Sequence, residues 1–214
     1  PRHWDLVIAP DHDGLVGDNV ITLVGSLNPV DTLWLAQARA AFASFADLPR
    51  PRTAVLLGGP SAHARFDLAA FEALASQLDA ALAHEGGSVM VTTSRRTPTD
   101  VIAALRKRYV ETPNVVWCGD ADGINPYPGM LAWADRIVAS PDSVNMLSEA
   151  CATDVPVFVF DPDRVSGRPR RFLDALLARR RIRRMDTTLA SFPVEPLRET
   201  ARIAALVKQR LSLA

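Results

Sequence analysis

A short apolar segment passes directly into a helical pattern at Ile137-Val138-Ala139-Ser140-Pro141-Asp142-Ser143. Its first residues are typical of a buried strand, because β-branched side chains fit a sheet that is covered on both faces. Asp142 and Ser143 are both good N-caps, since their side chains can accept hydrogen bonds from the first free amides of a helix. The segment therefore predicts a strand, a tight turn and a helix, which together form part of a βαβ unit.

The same alternation of short apolar and longer amphipathic runs covers most of the 214 residues. It predicts an α/β fold in which a Rossmann-like parallel sheet is flanked by helices. A Pro-rich linker, Leu48-Pro49-Arg50-Pro51-Arg52, predicts a domain boundary between residues 1–48 and 49–214. We expect strands at 6–9, 20–24, 53–57, 88–92, 115–118, 136–139 and 157–160. We expect helices at 32–45, 68–83, 99–109, 130–133, 144–152, 172–180 and 196–211, the third with Thr97 as its N-cap.

Three segments at predicted strand ends hold candidate binding residues, because open parallel sheets bind ligands beyond the carboxyl ends of their strands. In the first, Gly58 and Gly59 would let a phosphate approach the backbone, and Ser61 adds a hydroxyl. In the second, Arg95 and Arg96 lie between a strand and a helix start, and guanidinium groups suit phosphate oxygens. The alternatives are a plain strand-exit turn for the glycines and two solvated arginines.

The third segment is the helix that begins after Ser143 and contains Glu149. A helix start offers free amides and a partial positive charge to an anion. Glu149 lies further along this helix, roughly 9 Å from Ser143 at a rise of ~1.5 Å per residue. This separation suits a diphosphate at the helix start and ribose hydroxyls at the carboxylate. The alternative is that Asp142 only caps the helix and that Glu149 is a solvated carboxylate.

The segment from Ser140 to Pro156 resembles the nucleotide-sugar element of two-lobed glycosyltransferases, in which a helix start binds phosphate and a glutamate binds ribose. More narrowly, the chain resembles the mitochondrial-fission Elm family in a set of landmarks that keep their order along the sequence. These landmarks are Asp11-His12-Asp13, Gly17-Asp18-Asn19-Val20, Gly58-Gly59-Pro60, Thr93-Ser94-Arg95-Arg96-Thr97-Pro98, Asn125-Pro126-Tyr127, Leu131-Ala132-Trp133-Ala134-Asp135 and the basic residues Arg168, Arg170 and Arg171 before Phe172.

The resemblance implies the carboxyl-terminal, Rossmann-like lobe of a GT-B-type two-lobed architecture, with a nucleoside diphosphate or nucleotide sugar as its substrate. Residues 1–48 would then be the last strands of the amino-terminal lobe and the crossing helix, and residues 49–214 the nucleotide-binding lobe. We expect most of the amino-terminal lobe, which would hold the acceptor, to be missing. We also expect the last helix to cross back towards that lobe. This scheme requires no metal ion and no cofactor.

His12 is the candidate catalytic residue. It lies between Asp11 and Asp13 after a predicted strand end, and a neighbouring carboxylate can orient an imidazole that acts as a general base. The resemblance would bring it near the cleft between the lobes. The alternative is a structural or solvated loop histidine.

The charges balance, with 24 basic and 24 acidic residues, so the chain has no overall field that attracts nucleic acid or anionic membrane. Locally, nine arginines and a single acid, Asp174, lie between Arg164 and Arg184. This segment predicts either a peripheral contact with anionic membrane or a solvated basic face. We expect no nucleic-acid binding, because few aromatic residues accompany the arginines. Two cysteines, the lack of a signal segment and the lack of a ~20-residue apolar run lead us to expect a cytoplasmic protein.

The leading functional hypothesis is sugar transfer from a nucleoside diphosphate donor to an unknown acceptor, without a metal ion. Catalysis would depend on positioning and on stabilisation of the leaving diphosphate. The alternative is a non-catalytic scaffold that recruits partners in membrane or mitochondrial fission. A dinucleotide enzyme is disfavoured, because no Gly-x-Gly-x-x-Gly follows a predicted strand.

Overall fold

A computed structural model describes residues 3–109 and 113–212 of the chain. Strands and helices alternate in it, as the apolar pattern predicts. The strands are β1 (Val7–Pro10), β2 (Val20–Leu23), β3 (Arg52–Leu57), β4 (Ser88–Thr93), β5 (Val115–Trp117), β6 (Arg136–Ala139), β7 (Val157–Val159) and β8 (Ile182–Arg184). The α-helices are α1 (Thr32–Ala41), α2 (Leu68–Glu85), α3 (Thr99–Arg108), α4 (Tyr127–Trp133), α5 (Val144–Cys151), α6 (Gly167–Ala178) and α7 (Thr200–Arg210).

The larger sheet has six parallel strands in the order β5-β4-β3-β6-β7-β8. Val55 of β3 pairs with Val91 of β4 on one side and with Val138 of β6 on the other. Every residue of β3 is buried, as expected of a central strand with both faces covered. The α/β fold class and the Rossmann-like parallel sheet flanked by helices are confirmed.

Helices cover both faces of this sheet and bury two separate apolar cores. On one face, Leu35 of α1, Leu147 of α5 and Phe172 of α6 belong to a single core cluster. On the other face, Phe71 of α2 and Leu105 of α3 pack over β3 and β4. Burying a side chain of this size contributes about 1.5–3 kcal/mol, so these apolar stripes hold each helix to the sheet.

A second, smaller sheet consists of β1 and β2, which pair in parallel from Val7 opposite Val20 to Pro10 opposite Leu23. Its apolar face packs against α7, where Ile203 meets Ile21 and Leu23 in a small core of their own. The last helix therefore returns to the first strands of the chain, as predicted. Helix α1, which follows β2 in sequence, instead packs against the body that contains the larger sheet.

Hydrogen bonds tie the start of α7 to the segment after β2. The Glu199 carboxylate accepts bonds from the amides of Val24 (2.7 Å) and Gly25 (3.3 Å). The Thr200 hydroxyl accepts a bond from the amide of Asn28 and donates one to its carbonyl. The two chain segments that connect the sheets are thus joined side by side.

Two elements differ from the sequence-based expectation. Strand β8 is not predicted, because it is a short edge strand whose Arg183 and Arg184 face solvent and break the apolar pattern. Helix α3 begins at Thr99 with Pro98 before it, and the Thr97 side chain does not cap it. Thr97 as an N-cap was therefore wrong, because its hydroxyl donates instead to the carbonyl of Gly58.

Candidate functional site

The strand order of the larger sheet reverses between β3 and β6, and such a reversal opens a crevice at the carboxyl ends of the strands. The chain leaves β3 at Gly58 and leaves β6 at Ser140, so two of the three predicted segments meet there. Residues 94–97, which follow the neighbouring strand β4, form the third wall. The crevice is the candidate site.

A buried carboxylate lies at the centre of the crevice. The Asp142 side chain is fully buried, and its Oδ2 accepts bonds from the amide of Gly59 (2.8 Å) and from the guanidinium of Arg96 (3.2 Å). Beside it, the Ser140 hydroxyl oxygen accepts a bond from the amide of Gly58 (2.8 Å). The structure therefore brings the predicted residues Gly58, Gly59, Arg96 and Asp142 into one network.

This network gives the two glycine amides partners within the protein, and a role of Gly58 and Gly59 in substrate binding stays a prediction. A backbone amide has a single proton, and both glycine amides already donate to Ser140 and Asp142. A β-carbon at Gly58 would lie 1.9 Å from Oδ2 of Asp142, and one at Gly59 would lie 2.1 Å from the carbonyl oxygen of Arg96. The glycines are required here because the protein's own side chain and backbone approach them, and their amides are not free for a phosphate.

The arginine pair divides into one bonded and one free side chain. Arg96 is held by Asp142 and also donates to the carbonyl of Gly59 (3.5 Å). Arg95 is exposed and forms no hydrogen bond or ion pair within the described residues. Arg95 is therefore the guanidinium that can turn to a ligand without breaking a bond.

Ser61 stabilises its own loop. Its hydroxyl oxygen accepts bonds from the amides of His63 (3.2 Å) and Ala64 (3.1 Å), which closes a tight turn after β3. With both acceptor positions used, the hydroxyl proton of Ser61 remains available to a ligand.

The start of α5 provides the free amides of the crevice. Ser143 is the N-cap, and its hydroxyl oxygen accepts a bond from the amide of Met146. The amides of Val144 and Asn145 have no partner among the residues that the structure describes. The first turn of a helix also carries partial positive charge. These two amides are thus the donors that an anion could reach.

Glu149 lies one turn further along α5 and is held in place by a residue to which the sequence assigned no role. The hydroxyl of Tyr127, the first residue of α4, donates a hydrogen bond to Oε2 of Glu149 (2.5 Å). The other carboxylate oxygen, Oε1, accepts no bond from the described part of the chain. The available signal was the landmark Asn125-Pro126-Tyr127, which did not reveal the phenol as a partner for a carboxylate.

Burial changes the acidity of both members of this pair. Burial raises the pKa of the Glu149 carboxyl, and the hydrogen bond from Tyr127 partly opposes that rise. Burial and the charge of Glu149 raise the pKa of Tyr127 well above its usual range. The phenol therefore remains a proton donor, and Glu149 is a carboxylate in a partly apolar setting, such as occurs at binding sites.

His12 packs against the α6 side of the structure. Its ring lies 5.5 Å from the ring of Phe172, and its carbonyl accepts two bonds from Arg171. The Nδ1 atom is buried without a hydrogen-bond partner in the described chain, while Asp13 pairs with Arg168. Asp13, one of the two neighbouring carboxylates that could orient the ring, is therefore engaged elsewhere, and a catalytic role for His12 stays a prediction.

Four of the nine arginines in the basic segment Arg164–Arg184 form ion pairs with carboxylates, namely Arg164, Arg168, Arg170 and Arg184. Their acidic partners include Asp161 and Asp163, which directly precede the segment, and Asp163 accepts bonds from both Arg184 and Arg170. These two arginines lower the pKa of Asp163 to about 2. Of the nine arginines, only Arg180 has a side chain without a hydrogen bond, ion pair or ring contact to another described residue.

Arg181 is the buried member of this segment. Its guanidinium donates to the carbonyls of Ala150, Cys151, Thr153 and Val155, which follow or end α5. This arginine stabilises the carboxyl end of the helix that carries Glu149 and is not available to a membrane. Within the described residues, no helix is both long enough and apolar enough to cross a bilayer.

Two solved structures are similar to part of this one. The Os79 protein from O. sativa, solved in complex with UDP, is 15% identical with a TM-score of 0.44, and the match covers 88% of this chain and 45% of that chain. A glycosyl transferase family 9 protein from Veillonella parvula is 14% identical with a TM-score of 0.40, and the match covers 89% and 55% of the two chains.

Two curated relatives match by sequence. The mitochondrial fission protein ELM1 of Arabidopsis thaliana is 33% identical over 200 residues, which cover 91% of this chain and 46% of the relative. An uncharacterized protein of Rickettsia prowazekii (strain Madrid E) is 25% identical over 200 residues, which cover 91% and 56% of the two proteins. The chain thus spans about half the length of the curated relatives it matches. The family described as "Mitochondrial fission ELM1" matches residues 1–211 of the chain, and the chain belongs to this family.

Proposed function

We propose that the crevice binds the nucleoside diphosphate part of a nucleotide sugar, and that the chain contributes to transfer of the sugar to an acceptor. One observation carries the proposal. The free amides of Val144 and Asn145 and the half-buried carboxylate of Glu149 lie on the same helix, beside the reversal point of a parallel sheet. This is where α/β proteins bind ligands.

The spacing on α5 matches the chemistry of the ligand. Asn145 and Glu149 are four residues apart, so they lie on one face of the helix at a separation of about 6 Å along its axis. A diphosphate bound to the amides would leave the ribose near the free Oε1 of Glu149, which can accept bonds from two vicinal hydroxyls. The free guanidinium of Arg95 can neutralise the phosphate charge from the opposite wall.

The same groups suit the proposed transfer step. As the sugar leaves, negative charge develops on the diphosphate, and preorganised amides with an arginine stabilise that charge. In this scheme the start of α5 and Arg95 act on the leaving group, while the glycine amides do not. The acceptor and its activation, including any role of His12, are further parts of the proposal.

Calorimetric titration of the chain with UDP, CDP, ADP and GDP tests the binding step. We expect saturable binding of at least one diphosphate and a loss of about tenfold or more in Glu149→Ala, since bonds to a charged group contribute ~1.5–3 kcal/mol. Glu195→Ala, at an exposed glutamate on the edge away from the crevice, is the matched control. Binding that is absent for all four, or unchanged in Glu149→Ala, would remove the basis of the proposal.

A second candidate function is a non-catalytic scaffold in mitochondrial or membrane fission. The observation in its favour is the 33% identity to a relative named for mitochondrial fission. Ion pairs of four arginines lower the positive charge of the 164–184 segment, but five of its nine arginines form no ion pair with a carboxylate in the described chain. Sedimentation with vesicles that contain phosphatidylserine, compared with neutral vesicles, separates the two: a scaffold of this kind predicts selective co-sedimentation, and the transferase proposal does not require it.

A further inference from the structure

A second cavity lies at the carboxyl edge of the larger sheet, where the loops after β3 and β7 meet. Ala64 forms a β-bridge with Val165, and the carbonyl of His63 accepts a bond from the amide of Ser166 (2.9 Å). The space between the two loops has a volume of about 340 Å³. Because β6 lies between β3 and β7, the start of α5, which follows β6, belongs to the same carboxyl edge of the sheet as this cavity.

The groups that line this cavity are donors and bases. Its polar side chains are those of Ser61, His63, Arg65, Arg164 and Ser166, and no carboxylate is among the lining residues. Arg164 donates from Nε to Asp161 (2.6 Å), which orients the guanidinium and leaves its terminal nitrogens without partners in the described chain. Arg65 is unbonded within the described ranges. Two arginines and a donor-only hydroxyl at Ser61 match the oxygens of an anion.

The loop geometry holds these donors in place before any ligand arrives. The Ser61 hydroxyl closes the turn that carries His63 and Arg65. Gly167 has a φ of +68°, and a β-carbon there would lie 3.0 Å from Nδ1 of His63, so the second loop also packs closely against the imidazole. A preorganised cluster loses less entropy when it binds.

We infer that this cavity binds a phosphate- or carboxylate-class anion. The identity of the anion rests on the proposed function: it is an acidic group of the transferred sugar. The donor is then the nucleotide derivative of a sugar acid or sugar phosphate. The nucleotide at α5 and the acidic group in this cavity would occupy neighbouring parts of the same edge. This assignment deepens the proposed function by giving the class of donor.

Amide NMR titrations with small probes test the cavity without requiring the nucleotide. The first probe is inorganic phosphate, and the second is glucuronate compared with glucose, which has no acidic group. We expect saturable shifts at the amides of Ser61, His63 and Ser166 with phosphate and with glucuronate, and no saturable shift with glucose. Each of Arg65→Gln and Arg164→Gln should weaken binding about fivefold, and Arg180→Gln should not.

The outcomes separate the two proposals. No shift at the cavity amides with phosphate, or shifts that survive both arginine substitutions, would overturn the anion cavity. No saturable shift with glucuronate, or equal shifts with glucuronate and glucose, would overturn the assignment to a sugar acid. Failure of the proposed function has a different signature, namely no shift at Val144, Asn145 or Glu149 with any nucleoside diphosphate.

Discussion

The phenolic oxygen of Tyr127 lies 2.5 Å from Oε2 of Glu149, and this bond joins the first residue of α4 to the only carboxylate in α5. It leaves Oε1 as the oxygen that can face a ligand. Burial raises the pKa of Glu149 and the hydrogen bond from Tyr127 opposes that rise, so Tyr127 favours the ionised carboxylate and also orients it.

Tyr127→Phe should weaken nucleoside diphosphate binding by about fivefold, the value of one hydrogen bond at ~1 kcal/mol. Loss of the bond should also raise the pKa of Glu149 further, so the pH below which binding fails should move upward. Calorimetry between pH 5 and 8 measures both effects. Tyr109→Phe, which removes a hydroxyl bonded to Asp79 away from the crevice, is the control. An unchanged pH profile in Tyr127→Phe would contradict the positioning role.

Glu149→Gln should stabilise the fold at neutral pH. The pKa of Glu149 is raised in the folded state. The Glu149 carboxyl group therefore stabilises the fold below its ordinary pKa, and this stabilisation is lost as the pH rises through the raised pKa. The neutral amide has no such pH dependence. Because the side chain is partly solvated, we expect a rise in Tm on the order of 2 °C at pH 7, fading towards pH 4. Thermal unfolding across this range measures it, with Glu195→Gln as control. A lower Tm at pH 7 would show that the carboxylate stabilises the fold.

Gly58→Ala should destabilise the protein mainly through Asp142. The new methyl group would lie 1.9 Å from Oδ2, and overpacking of this kind costs about 1–3 kcal/mol or more. The same change in an Asp142→Ala background should cost less, with a coupling of at least about 1 kcal/mol. Urea unfolding of the wild-type protein, the two single variants and the double variant measures this coupling as a double-mutant cycle. Strictly additive effects would mean that the glycine is required for another reason.

Arg181→Gln should be among the most destabilising single changes in the basic segment, because its guanidinium donates to four carbonyls around the end of α5. The carbonyls of Ala150 and Cys151 keep other donors, whereas those of Thr153 and Val155 have none in the described chain. Leaving a carbonyl unsatisfied costs about 1–3 kcal/mol, so we expect a total of about 3 kcal/mol. Arg180→Gln, at the neighbouring exposed residue, should stay within about 0.5 kcal/mol. Equal unfolding midpoints for the two variants would contradict this role.

Much of the fold could be predicted from the sequence. Strands such as β3 and β6 are buried on both faces, so each appears in the sequence as a continuous apolar run. The edge strand β8 could not be predicted, since Arg183 and Arg184 give no apolar alternation. Helix α6 begins at Gly167, before the predicted residue 172, because the first turn of an exposed helix is polar. The boundary between residues 48 and 49 remains a prediction.

The position of the candidate site could be predicted from the sequence, but its hydrogen bonds could not. Strand ends identify the crevice, because parallel strands end at a common edge. Sequence could not show that Asp142 would occupy the amide of Gly59, or that Thr97 would turn from α3 to the carbonyl of Gly58. These contacts join residues far apart in sequence, and several partners were chemically possible for each. The Tyr127–Glu149 bond was missed for the same reason.

The return of α7 to the first sheet has a consequence for synthesis of the chain. Ile21 and Leu23 leave the ribosome long before Ile203, the residue that covers them. While the larger sheet can begin to assemble from its own strands, β1 and β2 must wait with an uncovered apolar face. During translation this apolar face therefore stays exposed until Ile203 has been made, and transiently exposed surface of this kind promotes aggregation.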